Sequence, residues 1–176
     1  LIYYAGHGEL DTRNDRGHWI PVNARADDTT HWISNVAVTD ILNVMNAKHV
    51  MVIADSCYSG QLARSVVASV QGGRTAAQQT DFYRKIAQIR SRTVLSSGGL
   101  KPVLDGGGGA NSVFAKQLLA ILHTNDRILE GPELYLQVSR RVRAAARSLG
   151  VDQNPQYGPI KHAGDQLAPF IFLPQA

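Results

Sequence analysis

Val50-Met51-Val52-Ile53-Ala54, followed directly by Asp55-Ser56-Cys57-Tyr58-Ser59-Gly60, is the stretch of sequence that decides the fold. Five consecutive apolar residues without alternation are typical of a parallel strand that is covered on both faces. The polar residues after them mark the carboxyl end of the strand, where open α/β sheets collect their functional side chains. The stretch therefore predicts an α/β fold with candidate chemistry at residues 55–57.

A second apolar run opens the chain and ends in a histidine between two glycines. Residues 1–5 read Leu-Ile-Tyr-Tyr-Ala, and Gly6-His7-Gly8 follows them. We predict a short buried strand that ends in a tight turn exposing His7, because glycine permits sharp changes of backbone direction. The run has neither an initiator Met nor a polar lead-in, so we expect further sequence upstream.

The rest of the chain alternates between helical and extended patterns. We predict helices at 39–48 (capped by Thr39 and Asp40), 81–92, 112–122 and 130–149, and strands at 93–98 and 170–173. Between them we expect a polar surface excursion at 9–32 with a small hairpin near 19–22, a mobile loop with room for one helical turn at 61–80, and a flexible break at 106–109. This alternation favours a three-layer α/β/α sandwich built on a mainly parallel sheet. A length of 176 residues suits one domain over 1–176.

Composition argues against several classes of function. The net charge is +4, but the 18 basic residues are dispersed except for a cluster in the predicted last helix, Arg140, Arg141, Arg143 and Arg147. A nucleic-acid binder would show a denser basic stripe with aromatic residues, so we expect no nucleic-acid partner. No apolar run approaches the roughly 18 residues of a membrane span. The single cysteine excludes an internal disulfide and leaves the compartment open, with the cytoplasm favoured.

His7 and Cys57 form the candidate catalytic pair. Each follows an apolar strand closely, so both side chains would lie over the same sheet edge if the strands are neighbours. The imidazole could then activate the thiol, which is a weak nucleophile until it becomes a thiolate. The N–H groups of Gly8 and Cys57 are our candidates for an oxyanion hole. The alternatives are an inert core cysteine and a structural turn histidine.

Two short motifs resemble a known family. The sequence YYAGHG at residues 3–8 is followed by IADSCYSG at 53–60, with fifty positions between the histidine and the cysteine. They resemble the caspase and metacaspase clan of cysteine peptidases, in particular bacterial caspase-like proteins and metacaspases. The resemblance extends over most of the chain through WIPVNA (19–24), RTVLSSGG (92–99), NSVFAKQLLAIL (111–122) and QNPQYGPI (153–160). It implies a caspase-like fold and a cysteine endopeptidase.

The resemblance also implies a specificity. Metacaspase-like members carry an acid two residues before the nucleophile, matched here by Asp55, so we predict cleavage after Arg or Lys. The resemblance also places Ala5, Ser96 and Ser97 among the substrate-binding residues. Many metacaspases have Ser where this chain has Ala5 and His where it has Tyr58, so details of the pocket differ. Alternatively, Asp55 caps the turn that follows its strand.

Partners and processing follow from the same resemblance. The family's sheet begins with two strands upstream of the histidine strand, so we expect an upstream segment or a second chain to complete it. The region where relatives are cut contains possible cleavage sites at Arg64, Arg74, Lys85, Arg90 and Arg92, of which Gly72-Gly73-Arg74 is the preferred candidate. We expect no cofactor. Some metacaspases require calcium, and Asp27-Asp28 is the candidate site, although adjacent acids in a polar loop are usually solvated.

Two functional hypotheses remain from the sequence. The first is an endopeptidase that acts on proteins or peptides through His7 and Cys57. The second is a catalytically silent signalling or scaffold module of the same fold. Pseudoenzymes of this clan usually lose the histidine or the cysteine, and both are present here. A serine esterase is excluded because the chain has no Gly-x-Ser-x-Gly elbow.

Overall fold

The computed structural model describes residues 1–25, 27–56, 62, 75–98 and 111–174. In chain order these ranges contain β1 (Ile2–Ala5), β2 (His7–Asp11), β3 (Arg16–Ile20), a 3₁₀ turn (Thr29–His31), β4 (Ile33–Ser34), α1 (Asn35–Val44), β5 (His49–Asp55), α2 (Ala76–Ile86), β6 (Ser91–Ser96), α3 (Val113–His123), β7 (Leu129–Glu130), α4 (Gly131–Ser148), β8 (Gln156–Pro159) and β9 (Ile171–Phe172). Cys57, the preferred processing site at 72–74 and the predicted glycine break at 106–109 lie outside the described residues.

Among the described residues, the main sheet has four strands in the order β1-β5-β6-β8. β1 and β6 run parallel to the central strand β5, and β8 runs antiparallel to β6. All residues of β5 after His49 are buried, as the unbroken apolar run predicts. β1 lies at one edge of this sheet. The predicted mainly parallel sheet is confirmed.

Helices cover both faces of this sheet. Successive residues of a strand point to opposite faces, so Met51 and Ile53 pack on one side and Val50 and Val52 on the other. The first side is filled from α3 and α4, and its fully buried members include Phe114, Leu134 and Val138. The second side is filled by Leu42 of α1 together with Trp19 of β3. Fully burying side chains of this size contributes about 1.5–3 kcal/mol each. The three-layer sandwich is confirmed.

The first helix begins earlier than the sequence predicts. Ser34, rather than Thr39, is its N-cap: the Ser34 hydroxyl accepts the Ala37 N–H at 3.1 Å. Thr39 lies inside the helix, and its buried hydroxyl donates to the Asn35 carbonyl at 2.9 Å. The predicted span of 39–48 was therefore wrong at both ends.

The second helix is also displaced toward the N-terminus. Its N-cap is Thr75, whose side chain forms a reciprocal capping box with that of Gln78, and the helix includes residues predicted to lie in a loop. It ends at Ile86, because Ser91 and Arg92 belong to β6, where they pair with His49 and Val50 of β5. Arg92 is fully buried, so it is inaccessible as a cleavage site in the folded protein.

The segment after β1 forms structure of its own. β2, β3 and β4 make a separate three-stranded antiparallel sheet within residues 7–34, so the predicted excursion is a folded unit. His7 and Gly8 are its first strand residues, and the prediction that they form a turn was wrong. Gly6 alone separates β1 from β2.

The C-terminal half follows the prediction more closely. α3 and α4 lie within one residue of their predicted bounds. β8 was missed because its sequence, Gln-Tyr-Gly-Pro, contains a proline, which a sheet tolerates at an edge. β9 falls in the predicted strand at 170–173 but pairs with β7 in a separate two-stranded sheet. No helix of the described ranges is both long and apolar enough to cross a membrane.

Candidate active site

The carboxyl ends of β1 and β5 meet at one edge of the main sheet. Ala5 lies directly opposite Asp55 in the parallel register, and the Gly6 N–H donates to the Asp55 carbonyl at 3.4 Å. His7 comes two residues after Ala5, and Cys57 comes two residues after Asp55. Adjacent strands of a sheet are about 4.8 Å apart. The two chain segments thus leave the sheet side by side, although Cys57 itself is outside the described residues.

His7 is the first residue of β2 and is exposed. It pairs with Ile20 of β3, and Gly8 pairs with Trp19. His7 therefore belongs to a strand of the second sheet, and a single residue, Gly6, separates that strand from the end of β1. Its backbone is fixed on two sides, because Gly6 is tied to β5 and the His7 carbonyl accepts a hydrogen bond from the Tyr4 hydroxyl at 2.7 Å.

Asp55 is a buried carboxylate at the end of β5, with 8% of its surface exposed. One of its oxygens, Oδ2, accepts a hydrogen bond from the Ser112 hydroxyl, while Oδ1 is buried without a hydrogen-bond partner among the described residues. No described lysine or arginine forms an ion pair with it. A buried carboxylate without a cation is costly.

Two further side chains border Asp55. Ser112 is the N-cap of α3, and its oxygen accepts the Ala115 N–H at 2.9 Å while its hydrogen goes to the carboxylate. Tyr3 projects from β1 and is half exposed. Burial raises the pKa of Tyr3, and the charge of the neighbouring Asp55 carboxylate, together with a side-chain hydrogen bond to it, raises that pKa further. The alternative that Asp55 caps the following turn concerns residues 57–60, outside the described residues.

Ser96 and Ser97 lie at the carboxyl end of β6 and are both buried. The Ser96 hydroxyl donates to the Gly98 carbonyl at 3.1 Å. The Ser97 N–H donates to the Ala54 carbonyl at 3.0 Å, and the Ser97 carbonyl accepts from Gln153 at 2.9 Å. The bond to Ala54 holds the end of β6 against β5. Substrate contact by Ser96, Ser97 and the exposed Ala5 stays a prediction.

The candidate calcium residues have partners within their own loop. The Asp27 carboxylate forms an exposed ion pair with Arg25, and the Asp28 side chain accepts the Thr30 N–H at the start of the 3₁₀ turn. These hydrogen bonds lower the pKa of both carboxyl groups. The described residues contain no cluster of three or more potential metal-binding side chains. Calcium dependence stays a prediction.

The comparison with known protein families agrees with this geometry. The model of the family described as "Caspase domain" matches residues 1–160, which include both strand ends and the predicted catalytic pair. The chain belongs to the caspase domain family. The match supports cysteine-type peptidase activity in general. No curated protein matches the sequence.

Sequence reasoning missed two polar side chains of this caspase domain that contact the site. Ser112 was predicted as a helix cap, but its contact with Asp55, 57 positions away, leaves no trace in any local pattern. Tyr4 was assigned only to a buried strand. A signal for it exists, because a tyrosine in an apolar strand needs a partner for its hydroxyl.

Proposed function

We propose that this caspase domain is a cysteine endopeptidase that uses His7 and Cys57 as its catalytic pair and cleaves proteins or peptides after Arg or Lys. The observation that carries the proposal is the register of Ala5 opposite Asp55. It puts the ends of the strands that precede His7 and Cys57 next to each other at the carboxyl edge of a parallel sheet. The carboxyl edge is where α/β folds place their chemistry, which supports the proposed pair.

In the proposed mechanism, His7 accepts the thiol proton of Cys57, and the thiolate attacks the scissile carbonyl carbon. The N–H groups of Gly8 and Cys57 stabilise the charge that develops on the carbonyl oxygen. His7 then gives its proton to the leaving amine, and a thioester with Cys57 remains. Water, deprotonated by His7, hydrolyses the thioester and restores the thiol.

The specificity in this proposal comes from Asp55. Its unpartnered Oδ1 provides an acceptor for a cationic side chain before the cleaved bond, and the Ser112 hydroxyl fixes the other oxygen. A guanidinium or ammonium group would neutralise the buried carboxylate, whereas an aspartate side chain would add a second negative charge. This preference is the one implied by the resemblance to bacterial caspase-like proteins and metacaspases.

A further part of the proposal concerns the edge of the sheet. β1 is paired on one side with β5, and its other side has no strand among the described residues. Such an edge invites pairing with another chain segment. We propose that an upstream segment or a second chain adds strands beside β1.

The direct test compares fluorogenic peptides that end in Arg, Lys or Asp. We expect kcat/KM for the Arg and Lys peptides to exceed that for the Asp peptide by about 100-fold or more, since the charge before the cleaved bond faces Asp55. A preference for Asp would contradict the specificity. If no peptide or unfolded protein substrate is cleaved, the silent-module hypothesis replaces the peptidase.

Replacing Asp55 by asparagine tests the specificity residue itself. The amide retains an oxygen for the Ser112 hydroxyl but lacks the charge, so we expect kcat/KM for the Arg peptide to fall about 30- to 100-fold. The measurement is steady-state kinetics on the Arg, Lys and Asp peptides.

Asp81→Asn is the matched control for this variant. Asp81 makes an exposed ion pair with Arg84 on α2, and its replacement should leave kcat/KM unchanged. An Asp55→Asn enzyme that keeps the full preference for Arg would show that another group recognises the cation.

A further inference from the structure

The Tyr4 hydroxyl joins the two residues at the start of the β2–β3 pair. It accepts the Ile20 N–H at 3.0 Å and donates to the His7 carbonyl at 2.7 Å. His7 and Ile20 lie opposite each other in the antiparallel register. The hydroxyl therefore bridges the strand that carries the histidine and the neighbouring strand.

The Tyr4 ring is fixed as firmly as its hydroxyl. It stacks on the Trp19 ring with centroids 4.4 Å apart and an angle of 5° between the planes. Trp19 is buried in the core that α1 and β5 share. Tyr4 thus connects the core of the main sheet to the backbone of the exposed His7.

Gly6 makes room for this arrangement. A Cβ atom at residue 6 would lie 2.8 Å from the Tyr4 hydroxyl oxygen and 3.1 Å from the ring carbon that bears it. The first distance is shorter than real Cβ contacts, so a larger residue would displace the hydroxyl. Glycine at residue 6 thus permits the close approach of the Tyr4 hydroxyl.

We infer that Tyr4 is a positioning residue that sets the place of the His7 imidazole relative to Cys57. This inference rests on the proposed peptidase function. Because His7 is exposed and starts its strand, the placement of its imidazole depends on its backbone. The Tyr4 hydroxyl holds that backbone through its hydrogen bond to the His7 carbonyl. Small displacements of a catalytic group reduce rates strongly, since reaction requires the reacting atoms in near-attack geometry. Burial raises the pKa of Tyr4, partly opposed by the Ile20 N–H, so the hydroxyl remains a donor at neutral pH.

The test replaces Tyr4 by phenylalanine, which keeps the ring for stacking and removes only the hydroxyl. We expect kcat for the Arg peptide to fall about tenfold while KM stays within about twofold. The pH curve for alkylation of Cys57 by iodoacetamide should move to higher pH, because a misplaced imidazole stabilises the thiolate less. The signal is specific, since the chain has one cysteine.

Tyr83→Phe is the matched control. The Tyr83 hydroxyl also donates one hydrogen bond and accepts one, to Glu130 and from Gln79, but it lies on α2 away from the site. This variant should keep the kcat and the alkylation curve of the parent. A Tyr4→Phe enzyme with unchanged kcat and an unchanged alkylation curve would overturn the inference.

His7→Ala separates the inference from the function on which it rests. If His7→Ala leaves the alkylation curve unchanged, the catalytic pair itself is wrong. If His7→Ala moves the curve and Tyr4→Phe does not, only the positioning role fails. If the Tyr4→Phe protein does not fold, Gly6→Ala provides a second test, because its added methyl group displaces the same hydroxyl while every other side chain is retained. We expect the same fall in kcat for this variant. An unchanged kcat would overturn the inference.

Discussion

Replacing Cys57 by alanine is expected to lower kcat/KM for the Arg peptide by about 10⁴-fold or more. The thiolate is the nucleophile in the proposed mechanism, and alanine has no atom that could form the thioester. The measurement is steady-state hydrolysis at enzyme concentrations high enough to detect the residual rate. An active Cys57→Ala enzyme would contradict covalent catalysis by this residue.

His7→Ala should cause a loss of similar size, and the double variant should be little worse than either single one. Catalytic residues that act as a unit show this lack of additivity, because removing one member already disables the other. His123→Ala is the control, since His123 is exposed in the last turn of α3. Additive losses would indicate that the two residues act in separate steps.

The central sheet and the neighbouring ends of its strands could be predicted from the sequence because their causes are local. An unbroken apolar run such as Val50-Met51-Val52-Ile53-Ala54 suits a strand buried on both faces. Parallel strands end at the same edge, so His7 and the segment before Cys57 were expected together, and the register of Ala5 with Asp55 meets that expectation. The cysteine's own position lies outside the described residues.

The first and last residues of the helices were harder to predict, because contacts with residues distant in sequence decide between several possible start and end positions. Ser34 and Thr39 are both good N-caps by type, but Thr39 is buried in the core and Ser34 is not. Ser91 and Arg92 continue a helical pattern in sequence, yet they extend β6 because β5 supplies the pairing partners. Tertiary contacts of this kind override local propensity.

The surroundings of the predicted site residues could not be predicted either, because they too depend on contacts between residues that are distant in sequence. Asp55 could be proposed as the specificity residue only through a resemblance, and nothing near it in sequence indicates that Ser112 occupies one of its oxygens. His7 could be chosen from its glycines, but the strand it belongs to depends on pairing with β3. The sequence thus offers candidate groups for the site, whereas the contacts that hold these groups are seen only in the structure.

Arg92 shows how such long-range contacts support the fold. Its side chain is fully buried, and its guanidinium donates to five backbone carbonyls, those of Leu42, Met45, Ala47, Lys48 and Ser91, at 2.6–3.0 Å. These acceptors lie mainly in the last turn of α1 and the segment leading into β5. Carbonyls at the end of a helix have no partner within it, and they carry partial negative charge, so a cation is favourable there. The guanidinium has five N–H donors, and all five are used.

Arg92→Met should therefore lower the free energy of unfolding by about 4 kcal/mol, because the thioether fills the space but leaves buried carbonyls without donors. For a domain of this size that corresponds to a fall in Tm of about 10 °C, measurable by differential scanning calorimetry. Arg92→Lys should lower the Tm by less than Arg92→Met does, since lysine keeps the charge but lacks the five N–H donors of the guanidinium. Arg84→Met is the control, because its ion pair with Asp81 is exposed and should contribute less than about 1 kcal/mol. Equal Tm values for the Arg92→Met and Arg84→Met proteins would mean that the carbonyls find other donors and that Arg92 does not join α1 to the sheet.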